Sequence, residues 1–277
     1  MLTFVPASAR ADGWSDFWVG YRYGTNFREP TNPNPIAKSI PQFQYVSGDR
    51  MGSNFVNVDI LMSDGVDPAG GPVIGGLPTN NNGGAQEIYI VARHELSFGG
   101  LLHHSFKSAI IRDVGLTGGF DFNSKDDEFE PRVRKYFVGP TINFKAPGFA
   151  SLSLLLKAEQ NHNAFVGEYV GFAGTYQLEG SWGFPVHVLG QAKIVGFFTY
   201  SGAKGPNTDA YPGIPAGGGT APELLAESQL MWNVSGKKKN VWMGVGYQHW
   251  RNKFGNPPTV NGSQANTAQL EMEYHLP

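Results

Sequence analysis

The end of the chain constrains its fold most strongly, because residues 267–276 alternate polar and apolar without exception. The apolar set is Ala268, Leu270, Met272, Tyr274 and Leu276, and the polar set is Thr267, Gln269, Glu271, Glu273 and His275. Successive side chains of a β-strand point to opposite faces of a sheet, so the segment predicts a strand with one apolar and one acidic face. Its length of about ten residues suits a tilted strand that crosses a bilayer.

The same alternation recurs in about twelve segments, and the connections between them alternate in length. The long connections, rich in Gly, Pro and Asn, are residues 26–37, 64–85, 124–132, 161–168, 202–222 and 253–266; the shorter ones are 48–52, 99–109, 145–150, 183–190 and 236–240. Long outer loops and short inner turns are typical of outer-membrane barrels, whereas loops above about 12–15 residues are uncommon in compact soluble domains. We therefore predict an all-β fold, a transmembrane antiparallel up-and-down β-barrel of twelve strands. A soluble all-β sandwich or a large lipocalin-like barrel is the alternative.

Composition agrees with a membrane barrel. Only 16% of the 277 residues are charged, yet the mean hydropathy is −0.27 and there is no apolar run long enough for a membrane helix. Membrane barrels have this profile because one face of each strand meets lipid and the other meets water. A net charge of −2 gives no reason to expect nucleic acid as a partner. The absence of cysteine fits an exported protein whose strand ladder needs no disulfide.

The N-terminal residues predict export. Ala9-Arg10-Ala11 is a small-x-small triplet that follows apolar residues, so we interpret residues 1–11 as the remnant of a signal peptide and residues 12–277 as a single barrel domain. A disordered leader is the alternative. We expect an integral protein of the bacterial outer membrane that is a monomer. Its expected contacts are outer-membrane lipid, lipopolysaccharide and the barrel-assembly machinery.

Strand parity predicts which side chains line the lumen. The pore-lining candidates are Trp18, Arg22, Phe55, Asp59, Arg93, Phe137, Lys157, Glu159, Lys193, Phe197, Glu227, Trp242, Trp250, Glu271 and Glu273. Twelve strands should enclose a narrow lumen. Paired opposite charges there could offer hydrogen bonds without a net field, and aromatic faces could stack on planar rings, which contributes about 1–3 kcal/mol per base in nucleic-acid complexes. Such a pore would suit a nucleoside; alternatively, the charges rigidify the barrel and the aromatics only fill it.

An outer-membrane enzyme is the main alternative from another class. Barrel hydrolases need a Ser–His–carboxylate or Ser–His–Asn set, and Ser228 and His249 share the outer parity of neighbouring predicted strands. However, the sequence has no G-x-S-x-G motif and no spaced His, Cys and carboxylate set for a metal. We therefore predict a protein that is not an enzyme, with no catalytic residues, no metal and no cofactor. A third class is a structural, adhesin-like barrel whose long loops recognise a surface.

Several stretches resemble the nucleoside-specific outer-membrane channel family (Tsx-type), in particular a β-proteobacterial branch of nucleoside-binding outer membrane proteins. The similar stretches are Trp18–Pro30, Asn54–Asp64, Gly115–Asn123, Val138–Phe144, Gly246–Asn256 and the final Glu273-Tyr274-His275. The resemblance implies a monomeric barrel of twelve strands and passive, selective uptake of nucleosides or similar small planar polar solutes. A general small-solute porin or an aromatic-metabolite channel remains open as an alternative.

Overall fold

The computed structural model describes residues 13–70, 73–74, 77–78, 83–164, 167–187, 190–205 and 219–276. The predicted signal-peptide remnant, residues 1–11, lies outside these ranges. Within them, no helix is both long and apolar enough to cross a membrane. The described helices are short: α1 (Phe98–Leu101) and the 3-10 turns Gly236–Lys238 and Lys253–Gly255.

Twelve long antiparallel strands form a closed barrel, which confirms the predicted fold class. They are β1 (Trp14–Phe27), β2 (Ile36–Gly48), β3 (Gly52–Ser63), β4 (Gln86–Ser97), β5 (Ile111–Lys125), β6 (Arg132–Phe144), β7 (Phe149–Asn163), β8 (Thr175–Val186), β9 (Ala192–Ser201), β10 (Glu223–Asn233), β11 (Val241–Arg251) and β12 (Gln264–His275). Each strand pairs with the next along the chain. Pairing of β12 with β1 closes the ring, with Val19 opposite Tyr274 and Tyr23 opposite Leu270.

Three shorter strands lie outside this ring pattern. Glu168–Gly171 pairs with the end of β7, the same strand that pairs with β8. It therefore extends the sheet beside β7 into the long connection. Val73–Ile74 and Leu77–Pro78 form a separate two-stranded sheet in the connection between β3 and β4. The long connections therefore carry some structure of their own.

The wall is apolar outside and polar inside, the inverse of a water-soluble barrel. On β7 the Leu156 side chain is 70% exposed, whereas the neighbouring Lys157 is 3% exposed. On β12 Leu270 is 64% exposed and Glu273 only 2% exposed. A strand that exposes leucine and buries lysine is unfavourable in water, because burial of apolar surface drives folding there. It is favourable where lipid surrounds the barrel and polar groups pair within it.

Polar side chains on the outer face gather near the two rims. At the turn end, Asn54 contacts His94 Nδ1 at 2.8 Å and donates to Ser47 Oγ at 3.2 Å. At the long-loop end, Asn266 Oδ1 lies 2.8 Å from both Tyr247 Oη and His249 Nδ1. Amphipathic and polar side chains concentrate at membrane–water interfaces, so these two groups bracket the apolar band.

Candidate functional site: the lumen and its long-loop end

The structure places all the predicted pore-lining residues on the inner face of the wall. The buried ones are Trp18, Arg22, Phe137, Lys157, Lys193, Glu227, Glu271 and Glu273. Asp59 pairs with Arg22 and Glu159 pairs with Lys157, whereas Arg93 pairs with Asp121 and Glu179. The register puts Phe55 opposite the inward Val46, Phe197 opposite Glu227, Trp242 opposite Glu273, and Trp250 opposite Ala265. Strand parity therefore predicted to which side of the wall these side chains point, while their contact with a solute stays a prediction.

Arg22 spans the middle of the lumen. Its Nη2 lies 2.6 Å from Asp59 Oδ2 on β3, and its Nη1 lies 2.6 Å from Glu227 Oε1 on β10. In the strand order, β3 and β10 lie on opposite sides of β1, so the guanidinium links two separate parts of the wall. Arginine suits this position because its planar fork offers donors to two carboxylates at once. The contact narrows the lumen at this level.

A second arginine makes a similar bridge. Arg93 on β4 lies 2.7 Å from Asp121 and 3.0 Å from Glu179, which is on β8. Its guanidinium carbon also lies 4.3 Å from the centre of the Phe137 ring. One face of Phe137 is therefore covered by a cation rather than open to a solute.

Near the turn end, Lys193 and His275 both contact Glu273. Lys193 Nζ lies 2.7 Å from Glu273 Oε2 and 4.7 Å from the centre of the Trp242 ring. His275 lies between Asp16, at 2.9 Å, and Glu273, at 3.2 Å. The Trp242 face that we expected to stack on a solute is thus partly occupied by the lysine.

At the long-loop end, ion pairs connect loops to strands. Lys125 lies 3.0 Å from Asp67 and 2.7 Å from Asp127. Glu29 pairs with the ammonium groups of Lys38 and Lys253. Burial alone would raise the pKa of the Glu29 carboxyl, but the neighbouring lysine charges outweigh burial and hold its pKa well below the usual range.

A cavity of about 200 Å³ opens within this end of the barrel. Charged walls and aromatic rings both line it: Lys125, Lys135, Lys204, Glu87, Glu159 and Glu223 among the charges, and Phe129, Phe172 and Phe254 among the rings. Lys204 pairs with Glu159 and lies 4.4 Å from the centre of the Phe172 ring, and Lys253 lies 5.1 Å from the centre of the Phe254 ring, so each lysine covers one face of its ring, as Arg93 does for Phe137. The cavity therefore combines flat apolar surfaces with hydrogen-bonding groups, the usual make-up of a small-molecule site.

The structure adds lumen groups that the candidate set lacked. The added carboxyl groups are Asp16, Glu87, Glu95, Asp121, Glu179 and Glu223, and the added cations are Lys38, Lys125 and Lys135. Several of these follow the same strand parity and could have been included. The cavity rings could not, because Phe129, Phe172 and Phe254 lie in connections that have no periodicity.

Acids and cations are equal in number among the described side chains that are buried. The eight acids are Glu29, Asp67, Glu87, Asp121, Glu223, Glu227, Glu271 and Glu273, and the eight cations are Arg22, Lys38, Lys125, Lys135, Lys157, Lys193, Lys204 and Lys253. Each arginine bridge nevertheless uses two carboxylates for one cation.

The outer-wall pair Ser228 and His249 lies on adjacent strands but not at facing positions. His249 faces Ala226 and contacts Asn266, whereas Ser228 faces Tyr247 and its hydroxyl lies 3.5 Å from the Val195 carbonyl oxygen. The His–Asn contact repeats the rim pattern of His94 and Asn54. A position in a polar rim is sufficient to account for it, and the absence of enzymatic activity stays a prediction.

Comparisons with known proteins give fold-level similarity only. No family model matches the chain, and no curated protein matches it in sequence. Similar solved structures include the KdgM porin (TM-score 0.42, 9% identity, 93% of this chain and 98% of that one). The beta domain of the Bordetella autotransporter BrkA gives a TM-score of 0.43 at 8% identity over 95% and 99% of the two chains. Pseudomonas aeruginosa OpdK with vanillate gives 0.31 at 9% over 96% and 98%. At such values, function has to be argued from this chain's own geometry.

Proposed function

We propose that this protein is an integral outer-membrane channel for passive, selective uptake of nucleosides or similar small planar polar solutes. The observation that carries the proposal is the cavity at the long-loop end, where the rings of Phe129, Phe172 and Phe254 lie among charged and amide side chains. A nucleoside combines a flat base with a hydroxylated sugar. Rings contribute stacking energy to the base, and the polar groups satisfy the sugar hydroxyls.

The apolar outer wall and polar inner wall support the membrane location. A barrel with Leu156 outside and Lys157 inside leaves a lumen as its route between the two aqueous sides. The bridges made by Arg22 and Arg93 narrow that route. A narrow route with a cavity at one end favours one small solute at a time over broad diffusion.

Block of single-channel current tests the proposal. The purified protein in planar bilayers should give a small conductance that nucleosides interrupt and ribose does not, because ribose offers the hydroxyls without a flat face. Phe172→Leu should shorten nucleoside block, since it keeps an apolar side chain but removes the ring. Tyr136→Leu on the outer wall, 48% exposed, is the matched control and should leave block unchanged.

Equal effects of ribose and nucleosides would contradict selectivity for planar solutes and leave a general porin. If nucleosides block Phe172→Leu as long as they block the wild type, the cavity does not take part in solute recognition. The absence of any conductance in a correctly folded barrel would contradict the channel function itself.

A further inference from the structure

Exposed charges are distributed unequally between the two ends of the barrel. Among the described residues, those exposed at the long-loop end balance, with three cations and three acids: Arg132, Arg134, Arg251, Asp126, Glu130 and Glu168. At the turn end a single exposed acid, Asp49, accompanies seven exposed cations: Arg50, Lys107, Arg112, Lys145, Lys237, Lys238 and Lys239. The Asp49 carboxylate accepts hydrogen bonds from the backbone N–H groups of Met51 and Gly52. Within the described chain, none of the seven cations forms an ion pair.

Three successive connections at this end are joined to one another. A Cβ atom at Gly100 in α1 would lie 1.6 Å from the Arg50 carbonyl oxygen, so this glycine lets α1 approach the turn between β2 and β3 closely. Arg50 Nη1 lies 2.7 Å from His103 Nε2, and Lys145 Nζ donates to the Ser108 carbonyl oxygen at 2.7 Å. Four of the exposed cations therefore belong to one surface, which we call the turn platform: residues 49–51, 98–112 and 145–148.

The turn platform also exposes large apolar side chains. Leu102 is 74% exposed and Ile110 is 65% exposed, as much as Leu156 and Leu270 on the apolar outer wall. Ile110 directly precedes β5, so the apolar part of the platform adjoins that wall. Exposed apolar surface beside cations is unfavourable in water alone, but it suits a membrane surface, where acyl chains and charged head groups meet.

We propose that the turn platform binds an anionic phospholipid, its cations holding the head group and Leu102 and Ile110 contacting the acyl chains. Lysine and arginine near a membrane surface attract anionic lipids, and their N–H groups donate to phosphate oxygens. The long-loop end, where exposed charges balance, has no such preference. Short turns of outer-membrane barrels lie on the periplasmic side, so the lipid belongs to the leaflet on that side. The inference rests on the proposed membrane location and goes beyond the channel function, since it holds whether or not the barrel conducts.

Native mass spectrometry of the full chain in non-ionic detergent, titrated with phosphatidylglycerol or with zwitterionic phosphatidylcholine, tests this inference. We expect tighter binding of phosphatidylglycerol, and a preference that weakens as salt screens the charges. Lys107→Gln with Arg112→Gln should lower the phosphatidylglycerol affinity on the order of tenfold, whereas Lys107→Arg with Arg112→Lys should keep it. Arg132→Gln with Arg134→Gln is the matched control at the balanced end and should leave the preference unchanged. Heat-modifiable gel mobility of each variant establishes that it has folded.

Equal binding of both lipids by the wild type, or an unchanged preference in Lys107→Gln with Arg112→Gln, would overturn the inference. An equal loss in the control variant would overturn it too, because total charge rather than the turn platform would then attract the lipid. Glycerol 3-phosphate carries a phosphate without acyl chains and should not displace the lipid; displacement at equal concentration would identify a site for soluble phosphates instead. None of these measurements depends on conduction, so the inference and the channel function can fail separately.

Discussion

At the scale of single residues, Lys204 is a buried cation just beyond the end of β9. Burial lowers its pKa to about 8, although the Glu159 carboxylate acts in the opposite direction. An unfolded lysine keeps its proton to a pH of about 10.4. Between these values the unfolded state holds a proton that the folded state has lost, so the free energy of unfolding should rise with pH across this window.

The matching experiment compares urea unfolding of the refolded wild type and Lys204→Met from pH 7 to about pH 10. The wild type should gain stability relative to the variant, on the order of 1–3 kcal/mol. Glu159 keeps Lys157 as a partner at 3.0 Å in the variant, so the fold should survive. Lys238→Met, exposed in a turn, is the control and should follow the wild type. Parallel pH profiles for wild type and Lys204→Met would show that Lys204 titrates normally.

At the scale of one element, β7 has two faces with opposite requirements. Leu154 is 52% exposed on the outer wall, so Leu154→Arg places a charge in the lipid. Such a charge near the bilayer midplane of a barrel costs about 2–4 kcal/mol. Lys157→Met removes a charge from the lumen and should cost less, because Lys204 still pairs with Glu159. A folding titration in lipid vesicles measures both; equal costs would mean that the two faces are assigned wrongly.

At the scale of the whole molecule, closure depends on the pairing of the first and last strands. Tyr23 and Leu270 are direct partners across that seam, and directly opposed residues in antiparallel strands have Cα atoms about 4.5–5.5 Å apart. Tyr23→Cys with Leu270→Cys should therefore form a disulfide, the only one in a chain without cysteine. Denatured, non-reduced protein should then migrate faster on a gel because it is almost circular.

The register offers a control for this experiment. Tyr23→Cys with Tyr274→Cys places both sulfurs on the outer face but four residues out of register, so these should stay reduced. Cross-linking of both pairs, or of neither, would contradict the closed barrel with this register.

Strand parity predicted which side chains point into the lumen. It could not predict which of those side chains meet across the lumen. The orientation of Arg22, Asp59 and Glu227 follows from a period of two. Their meeting at one point depends on the register and curvature of separate strands, which no local pattern encodes. The cavity rings Phe129, Phe172 and Phe254 lie in irregular backbone, where neither the helical nor the strand period applies.

The Arg22 bridge also bears on the order in which the chain can assemble. Asp59 is 37 residues from Arg22 in sequence, whereas Glu227 is 205 residues away. Because the entropy cost of closing a loop grows with its length, the nearer carboxylate should be captured first. The Arg22 Nη1 group then lacks its carboxylate partner, Glu227, until β10 is in place. During assembly, the Arg22 guanidinium would therefore offer a positive charge to the acidic inner face of a strand that joins the barrel late.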